Sequence, residues 1–257
     1  MGLSAVVITW NEEANIEQCL RSLSFADEIV VLDSFSTDRT VEIARKFTDK
    51  VSSREFTGFS DQKNAAIAMA SQDWVLIVDA DEVVPPELAV EIVDAITGGK
   101  YDAYRMPRST YFLGRKMRHC GWYPDYQLRL ARRSIAHIPD RLVHETMEVD
   151  CECGTLRGDL IHYSYRTMAD YTRKMAAYSR AAAEQKFIEG RRFGVCDLLF
   201  NPGLTFFKMY VAKQGFRDGP HGLVLSVLTA CSSALRYAFL WEMTKRAADN
   251  KEQPDEK

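Results

Sequence analysis

Residues 74–82 read Trp-Val-Leu-Ile-Val-Asp-Ala-Asp-Glu, an apolar run that ends in three carboxylates. Five consecutive apolar residues predict a strand that is buried on both faces. Such a strand has no structural need for acidic residues at its end. The carboxylates of Asp79 and Asp81 suit Mg²⁺ or Mn²⁺, and they leave coordination positions open for phosphate oxygens. A solvated acidic turn is the alternative interpretation of the same cluster.

Strand and helix patterns alternate on both sides of this run. Apolar runs predict strands at 3–9 and 29–32 and a short strand at 50–54, whereas helical spacing of apolar residues covers 12–23, 38–47 and 59–70. Pro85 and Pro86 open a further helix, which Gly98 and Gly99 end. Repeated strand–helix units predict an α/β fold with a doubly wound, mostly parallel sheet, whose ligands bind at the carboxyl ends of the strands.

The pattern changes after residue 100. Short aromatic segments at 101–163 predict an antiparallel extension of the sheet, and three long helices are predicted at 168–188, 195–213 and 221–246. The glycines at 215–222 do not follow a strand, so they indicate a helix break and not a phosphate-binding loop. We therefore predict a first half of the α/β part at 1–105, a second half at 106–163, a helical extension at 164–249 and a flexible tail at 250–257.

The acidic cluster also fits a second class of enzyme. The segment Asp79-Ala-Asp81-Glu-Val83 satisfies the DxDx(T/V) pattern of haloacid-dehalogenase-like phosphatases, in which the first aspartate is a nucleophile. That motif usually ends the first strand, whereas here it ends about the fourth. The position of the motif therefore argues against a phosphatase.

Two other predicted strand ends carry polar residues. The first strand runs into Thr9-Trp-Asn11-Glu12, and the second into a segment in which Asp33, Ser36 and Asp38 match a DxxSxD pattern. Together with Asp79 and Asp81, these segments resemble the family-two glycosyltransferases of the GT-A fold. The resemblance implies that residues 1–105 are the donor-binding half and residues 106–163 the acceptor-binding half of a GT-A domain. It also implies a nucleotide-sugar site that contains Thr9, Asn11, Glu12 and Asp33, with Thr9 and Asp33 on the nucleoside.

The same resemblance assigns the remaining donor residues. It implies that Asp81 is the principal metal ligand, that Asp79 lies close to the ribose, and that Lys63 touches the diphosphate. An isolated helical lysine is more often a plain surface residue. For Asp38 a structural role at a helix N-terminus is favoured by the helix dipole.

Segments further along the chain resemble a narrower group, the bacterial beta-glucosyltransferases of the lipopolysaccharide inner core. They are residues 121–130, the segment Val143-His144-Glu145, and the glycine-rich stretch 215–222 with the aromatic residues before it. The group implies inversion at the anomeric carbon by one in-line displacement, and hence one general base. Asp125 matches the base position and Glu145 is the rival.

Two residues have open assignments within this second half. His144 is either a metal ligand, since neutral imidazole suits Mn²⁺, or a hydrogen-bonded histidine at a strand end. Arg129 either stabilises the leaving group or pairs with a carboxylate.

The chain as a whole is predicted to transfer a hexose, glucose from a UDP donor, to a lipopolysaccharide-core or related cell-envelope glycan. A catalytically silent sugar-nucleotide-binding protein is the other alternative besides the phosphatase. Six cysteines without a CxxC pair and an N-terminus unlike a signal peptide predict reduced thiols and a cytoplasmic location, with possible placement at the inner face of the membrane.

The charge of residues 166–217 and the hydropathy of residues 222–241 indicate which kinds of partner the chain binds. Residues 166–217 contain ten Lys/Arg and four Asp/Glu, so they carry +6 within a chain of net charge −3. This asymmetry predicts either an anionic or lipid-linked glycan acceptor and a peripheral membrane contact, or only a solvated basic surface. The apolar stretch 222–241 contains serines, a threonine and an arginine, which favours packing, an interfacial position or a homodimer contact over membrane spanning. We predict no nucleic-acid partner.

Overall fold

The computed structural model describes residues 1–139 and 146–252. Its first half alternates strands and helices. The strands are β1 Leu3–Thr9, β2 Glu28–Asp33, β3 Val51–Ser53, β4 Trp74–Asp79 and β5 Glu82–Val83. The helices are α1 Ile16–Ser22, α2 Thr40–Ala44, α3 Phe59–Met69 and α4 Pro86–Gly98. The predicted strand–helix alternation is confirmed, and Gly99 ends α4 with φ 61°, a backbone angle that glycine adopts without strain.

The second half begins with mostly antiparallel strands and ends in helices. The strands are β6 Ala103–Phe112, β7 Arg115–Lys116, β8 Asp125–Arg132, β9 Gly154–Thr155 and β10 Leu160–Tyr165. The helices are α5 Met168–Ile188, α6 Val195–Phe207 and α7 Gly219–Glu252, with a π-helical turn at Lys208–Ala212 and a 3₁₀ turn at Gly215–Asp218. Helix α7 therefore continues through Glu252, beyond residue 249, where we expected the helical extension to end.

The strands form one mixed sheet in the order β3-β2-β1-β4-β8-β6-β10-β5. Strands β3, β2, β1 and β4 are parallel, whereas β8 pairs antiparallel with both β4 and β6. Alternate residues of β1 face opposite sides: Ala5 and Val7 pack with α1 and α4 residues, and Val6 packs with α3 residues. Both faces of the parallel half are thus covered by helices, which explains its continuous apolar runs.

The chain divides into two compact units. One consists of Met1–Thr110 and Pro124–Ser164, and the other of Tyr111–Tyr123 and Tyr165–Lys257. We call them the sheet unit and the helical unit. Residues 111–123, which lie within the predicted acceptor half 106–163, pack with the C-terminal helices.

The glycine-rich stretch 215–222 makes a tight corner inside the helical unit. A Cβ at Gly222 would lie 1.9 Å from the carbonyl oxygen of Gly215, so no larger residue fits there. The buried carboxylate of Asp218 accepts hydrogen bonds from the backbone N–H of Arg118 at 3.2 Å and of His119 at 2.8 Å. These contacts support the interpretation of the motif as a helix break, because glycine and aspartate are needed here for packing and for holding a loop.

Candidate active site

The polar residues predicted at three strand ends lie at one edge of the sheet. Thr9 pairs with Asp33 across β1 and β2, and Ile8 pairs with Asp79 across β1 and β4. Because these strands are parallel, their carboxyl ends meet at this edge, where ligands of open α/β sheets bind. The hydroxyl of Thr9 is buried and has no hydrogen-bond partner among the described residues.

Asp33 and Asn11 hold the loops after β1 and β2 together. The buried carboxylate of Asp33 accepts the backbone N–H of Ser36 at 2.9 Å and also its hydroxyl. The N–H of Asn11 donates to the Ser36 hydroxyl at 2.8 Å, and its side-chain oxygen accepts the N–H of Thr37 at 2.8 Å. Asn11 has φ 52°, which asparagine tolerates better than most residues. Asn11 and Asp33, which we predicted to bind the nucleotide-sugar, therefore also fix the conformation of these loops.

Glu12 and Asp38, which lie next to these loops, form hydrogen bonds at the segments that precede α1 and α2. The N–H of Glu12 donates to the hydroxyl of Thr40 at 2.8 Å, and the carboxylate of Glu12 accepts from Asn15 at 2.6 Å. The carboxylate of Asp38 accepts the N–H of Thr40 at 2.9 Å and of Glu13 at 3.1 Å. Burial tends to raise the pKa of Asp38, but these hydrogen bonds hold it below its usual value. The contacts of Asp38 agree with a structural role at the start of α2.

Asp79 lies between two buried cations. Its Oδ1 is 3.1 Å from Nζ of Lys63, and its Oδ2 accepts a hydrogen bond from Nη2 of Arg129 at 2.7 Å. Burial works against ionisation, but the charges of Arg129 and Lys63 hold the pKa of Asp79 well below its usual range. Lys63 is buried and is not a plain surface lysine. Both oxygens of Asp79 therefore have cationic partners, which disfavours Asp79 as a cation ligand.

Glu82 extends this arrangement into the core. Its side chain is 0% exposed, and it accepts hydrogen bonds from Nη2 of Arg129 at 2.8 Å and from the N–H of Asp79 at 2.9 Å. Burial alone would lower the pKa of Arg129, but the charges of Asp79 and Glu82 raise it. Of the two roles that the sequence left open for Arg129, these contacts show the pairing with carboxylates.

Arg108 connects Glu82 to Asp125. Its Nη1 lies 3.6 Å from Oε1 of Glu82, and its Nη2 donates to Oδ2 of Asp125 at 2.7 Å. The other oxygen of Asp125 accepts from Gln127 at 2.8 Å. A continuous row of alternating charges therefore runs from α3 to β8, and its six members are Lys63, Asp79, Arg129, Glu82, Arg108 and Asp125. We call this row the charge network.

Asp81 lies beside an imidazole. Nε2 of His162 is 3.4 Å from Oδ2 of Asp81, and Nδ1 of the same ring is 3.3 Å from the hydroxyl of Thr110. The antiparallel pairing of β10 with β5, which places His162 opposite Glu82, brings the ring here. The backbone N–H of Tyr163 donates to the carbonyl of Asp81 at 2.8 Å and fixes the turn.

A carboxylate and an imidazole are suitable ligands for Mn²⁺, and carboxylate alone suits Mg²⁺. The second ring nitrogen of His162 faces the Thr110 hydroxyl, the kind of outer contact that orients a metal-binding histidine. Within residues 1–139 and 146–252, no group of three or more His, Cys, Asp or Glu side chains is arranged to hold a metal ion. The Asp81–His162 pair therefore fits a cation that completes its coordination with donor oxygens and water.

His162 and Arg108 were not among the residues that we predicted. The available signal was weak: Arg108 is one of two arginines in β6, which also contains a serine and a threonine, and His162 is the one histidine of β10. His144 and Glu145, the predicted metal ligand and rival base, lie outside the described residues.

Comparison with known proteins defines the class. Residues 4–187 match the family model described as Glycosyl transferase family 2, and the chain therefore belongs to this family. This membership decides in favour of glycosyl transfer over the phosphatase alternative.

Individual relatives cover nearly the whole chain. It is 30% identical over 261 residues to the lipopolysaccharide core biosynthesis glycosyltransferase LpsC of Rhizobium meliloti (strain 1021), across 92% of this chain and 93% of that protein. It is 29% identical over 258 residues to the uncharacterized glycosyltransferase RT0209 of Rickettsia typhi, across 95% of this chain and 88% of that protein. The resemblance that we drew from the motifs is confirmed at the level of the family.

Among solved structures, the fold is similar to that of the mannosyltransferase PcManGT from Pyrobaculum calidifontis, determined in complex with GDP-Man and Mn²⁺. The TM-score is 0.51 at 15% sequence identity, and the match covers 98% of this chain and 88% of that chain. The α/β fold is thus of the GT-A type, with a helical C-terminal part.

Proposed function

We propose that the protein transfers glucose from a UDP donor to a lipopolysaccharide-core or related cell-envelope glycan, with inversion at the anomeric carbon. The observation that carries the proposal is the charge network, which starts at the donor edge of the sheet and ends at Asp125 in the antiparallel half. The similar protein LpsC is a lipopolysaccharide core biosynthesis glycosyltransferase, which supports this acceptor class.

The donor half binds and orients the nucleotide-sugar. Thr9 and Asp33 contact the nucleoside, because they lie side by side at the carboxyl ends of β1 and β2. Asn11 and Glu12 shape the neighbouring loop. Lys63, whose Nζ lies 3.1 Å from Oδ1 of Asp79, contacts the diphosphate, as the resemblance to the family implies. Asp79 positions Lys63 and Arg129 and lies near the ribose.

Asp81 and His162 hold a divalent cation, Mg²⁺ or Mn²⁺. When bound, such a cation stabilises the negative charge that develops on the leaving diphosphate. The solved mannosyltransferase of the same fold contains Mn²⁺, which supports a divalent metal for this chain.

Asp125 is the general base. It accepts the proton of the acceptor hydroxyl while the acceptor oxygen bonds to the anomeric carbon and the bond from that carbon to the diphosphate breaks. A single displacement of this kind inverts the anomeric centre. Arg108 and Gln127 each bond one oxygen of Asp125, so they fix the orientation of its carboxylate.

The first test is donor binding followed by transfer. A nucleotide-sugar at about 100 times its Kd stabilises the native state by about 2.7 kcal/mol, so a thermal shift with and without Mn²⁺ identifies the donor. Product formation is then measured with lipopolysaccharide-core acceptors. Donor binding without product across an acceptor panel would instead indicate the catalytically silent protein.

The metal is tested by Asp81→Asn and His162→Gln. Both variants should lose the Mn²⁺-dependent part of the thermal shift and most of the transfer activity, because each removes one ligand. Asp94→Asn is the matched control, since it removes an exposed carboxylate on α4. Full turnover by folded Asp81→Asn in the presence of chelator would overturn the metal assignment.

A further inference from the structure

Helix α6 presents its apolar side chains outward. None of its residues is buried, and four of its leucine and phenylalanine side chains are between 59% and 67% exposed. At 100° per residue these four occupy a sector of about 140° around the helix. We call this sector the outer face of α6; it consists of Leu199, Phe200, Leu204 and Phe207.

The polar residues of α6 lie in a different row. Asp197, Asn201 and Thr205 follow one another at intervals of four and therefore share one side of the helix. Asn201 donates to the carbonyl of Asp197 at 2.9 Å, and Thr205 donates to the carbonyl of Asn201 at 2.7 Å. Their hydrogen-bonding groups are thus satisfied by the helix itself and do not make the outer face polar.

Helix α7 buries Leu225 and Leu240, but two of its serines also turn inward. Ser232 bonds Ser179 of α5 at 2.8 Å, and the buried hydroxyl of Ser226 donates to the carbonyl of Gly222 at 2.7 Å. Apolar Leu223 and Val227 are exposed instead.

An apolar groove lies between the two helices. Its volume is about 340 Å³, and it is lined by small or apolar residues that include Pro202, Gly203, Phe206, Val227 and Ala230. Within the described part of the chain, the helical segment Gly215–Asp249 has the length and composition of a helix that could cross a membrane. Of its most apolar 18 residues, 28% are buried.

The exposed apolar face of α6 is the reverse of what is expected for a helix that faces water, which exposes its polar side and buries its apolar side. Exposed apolar patches of this kind mark sites of contact with a membrane or a protein. The charges that flank α6 distinguish a membrane from a protein as its partner. Arg191 and Arg192 precede α6, Lys208 follows it, and Lys213 ends the π-helical turn, so the apolar surface is bordered by cations. Such borders complement anionic lipid headgroups.

We propose that the outer face of α6, with the adjoining groove and the exposed residues of α7, lies in the interfacial layer of an anionic lipid bilayer. Apolar side chains of a helix in this position reach about 5–10 Å into the boundary between headgroups and acyl chains. The helices lie on the membrane and do not cross it, because α7 turns serines toward α5, a helix that carries several exposed charges.

The first experiment replaces the outer face of α6 by serine in the variant Leu199→Ser, Phe200→Ser, Leu204→Ser, Phe207→Ser. Cosedimentation with vesicles of equal parts phosphatidylglycerol and phosphatidylcholine should fall at least about tenfold, because each apolar anchor contributes strongly to partitioning. The matched control is Val90→Ser, Val93→Ser, which removes two exposed valines of α4 in the sheet unit and should bind vesicles like the parent protein. Equal binding by all three proteins would overturn the proposal.

A second experiment locates the contact within the helical unit. Cys196 is exposed within the sector of the outer face, whereas Cys151 is exposed in the sheet unit, and Cys19 and Cys120 are buried. A polarity-sensitive fluorophore is attached to Cys196 after Cys151, Cys153 and Cys231 are changed to serine. Its emission should shift to the blue with anionic vesicles, while the same fluorophore on Cys151 alone should not respond.

The competing occupant of the outer face of α6 is a second copy of the chain. Sedimentation equilibrium without lipid measures whether the protein forms such a dimer. A blue shift at Cys196 that follows protein concentration and not vesicle concentration would assign the outer face to a dimer and overturn the proposal. Vesicle binding does not depend on glycosyl transfer, so failure of this proposal and failure of the proposed reaction give different results.

Discussion

Arg129 offers a sharp test of the charge network, because its substitution leaves the buried carboxylate of Glu82 with only a more distant cation, Arg108, among the described residues. Arg129→Met keeps much of the side-chain volume but removes the hydrogen bonds to Asp79 at 2.7 Å and to Glu82 at 2.8 Å. Among the described residues, Asp79 keeps Lys63 at 3.1 Å, whereas Glu82, which is 0% exposed, keeps Arg108 at 3.6 Å and the backbone N–H of Asp79. Most of the cost should therefore come from Glu82.

Breaking a buried ion pair by removing one partner costs about 3–5 kcal/mol. We expect the free energy of unfolding of Arg129→Met, measured by urea denaturation, to fall by about this amount. The double variant Arg129→Met, Glu82→Gln removes the unpaired charge as well, so it should recover about 1–3 kcal/mol of that loss.

Exposed Arg21→Met, which removes an i,i+4 pair with Glu17, is the control and should cost less than about 1 kcal/mol. The interpretation fails if Arg129→Met unfolds like the parent protein, or if the double variant is less stable than the single one.

Three further predictions concern the base, pH and the basic charges. Asp125→Asn should preserve donor affinity and lower the turnover rate by about two to four orders of magnitude, and the base assignment is wrong if only Glu145→Gln has that effect. Burial works against ionisation of Glu28, but its bonds with Lys50, Ser4 and Ser71 lower its pKa from 4.5 to about 2. A lowered native pKa stabilises the fold above the unfolded pKa, so up to about 3 kcal/mol should be lost as the pH falls from 4.5 to 2, and Glu28→Gln should show a flatter pH profile. Replacing four basic residues by Gln should weaken binding to anionic vesicles and its dependence on salt, and should raise the apparent KM for acceptor while donor hydrolysis stays the same; unaltered binding and kinetics would make these charges an ordinary solvated surface. The four are Arg191, Arg192, Lys208 and Lys213.

The order of strands and helices in the sheet unit could be predicted because local periodicity and the apolar runs determine it. Strand β1 occupies the predicted residues 3–9, and α5 the predicted residues 168–188. The grouping of Thr9, Asp33 and Asp79 also followed, since the carboxyl ends of parallel strands meet at one edge of a sheet.

The partners within the site required the tertiary structure. Arg108 reaches Asp125 because β6 and β8 run antiparallel in the register that pairs these two residues, and His162 reaches Asp81 because β10 pairs with β5. A register between distant strands depends on how the whole sheet assembles, and no local pattern encodes it.

In the helical unit, too, the sequence and the tertiary structure determined different features. Composition and spacing, which are local properties, predicted one helix at 195–213, and the structure has α6 at Val195–Phe207 followed by the π-helical turn Lys208–Ala212. Only the tertiary structure decided that its large side chains Leu199, Phe200, Leu204 and Phe207 face outward. Helical periodicity defines which residues share a face, but burial depends on which face the other helices cover.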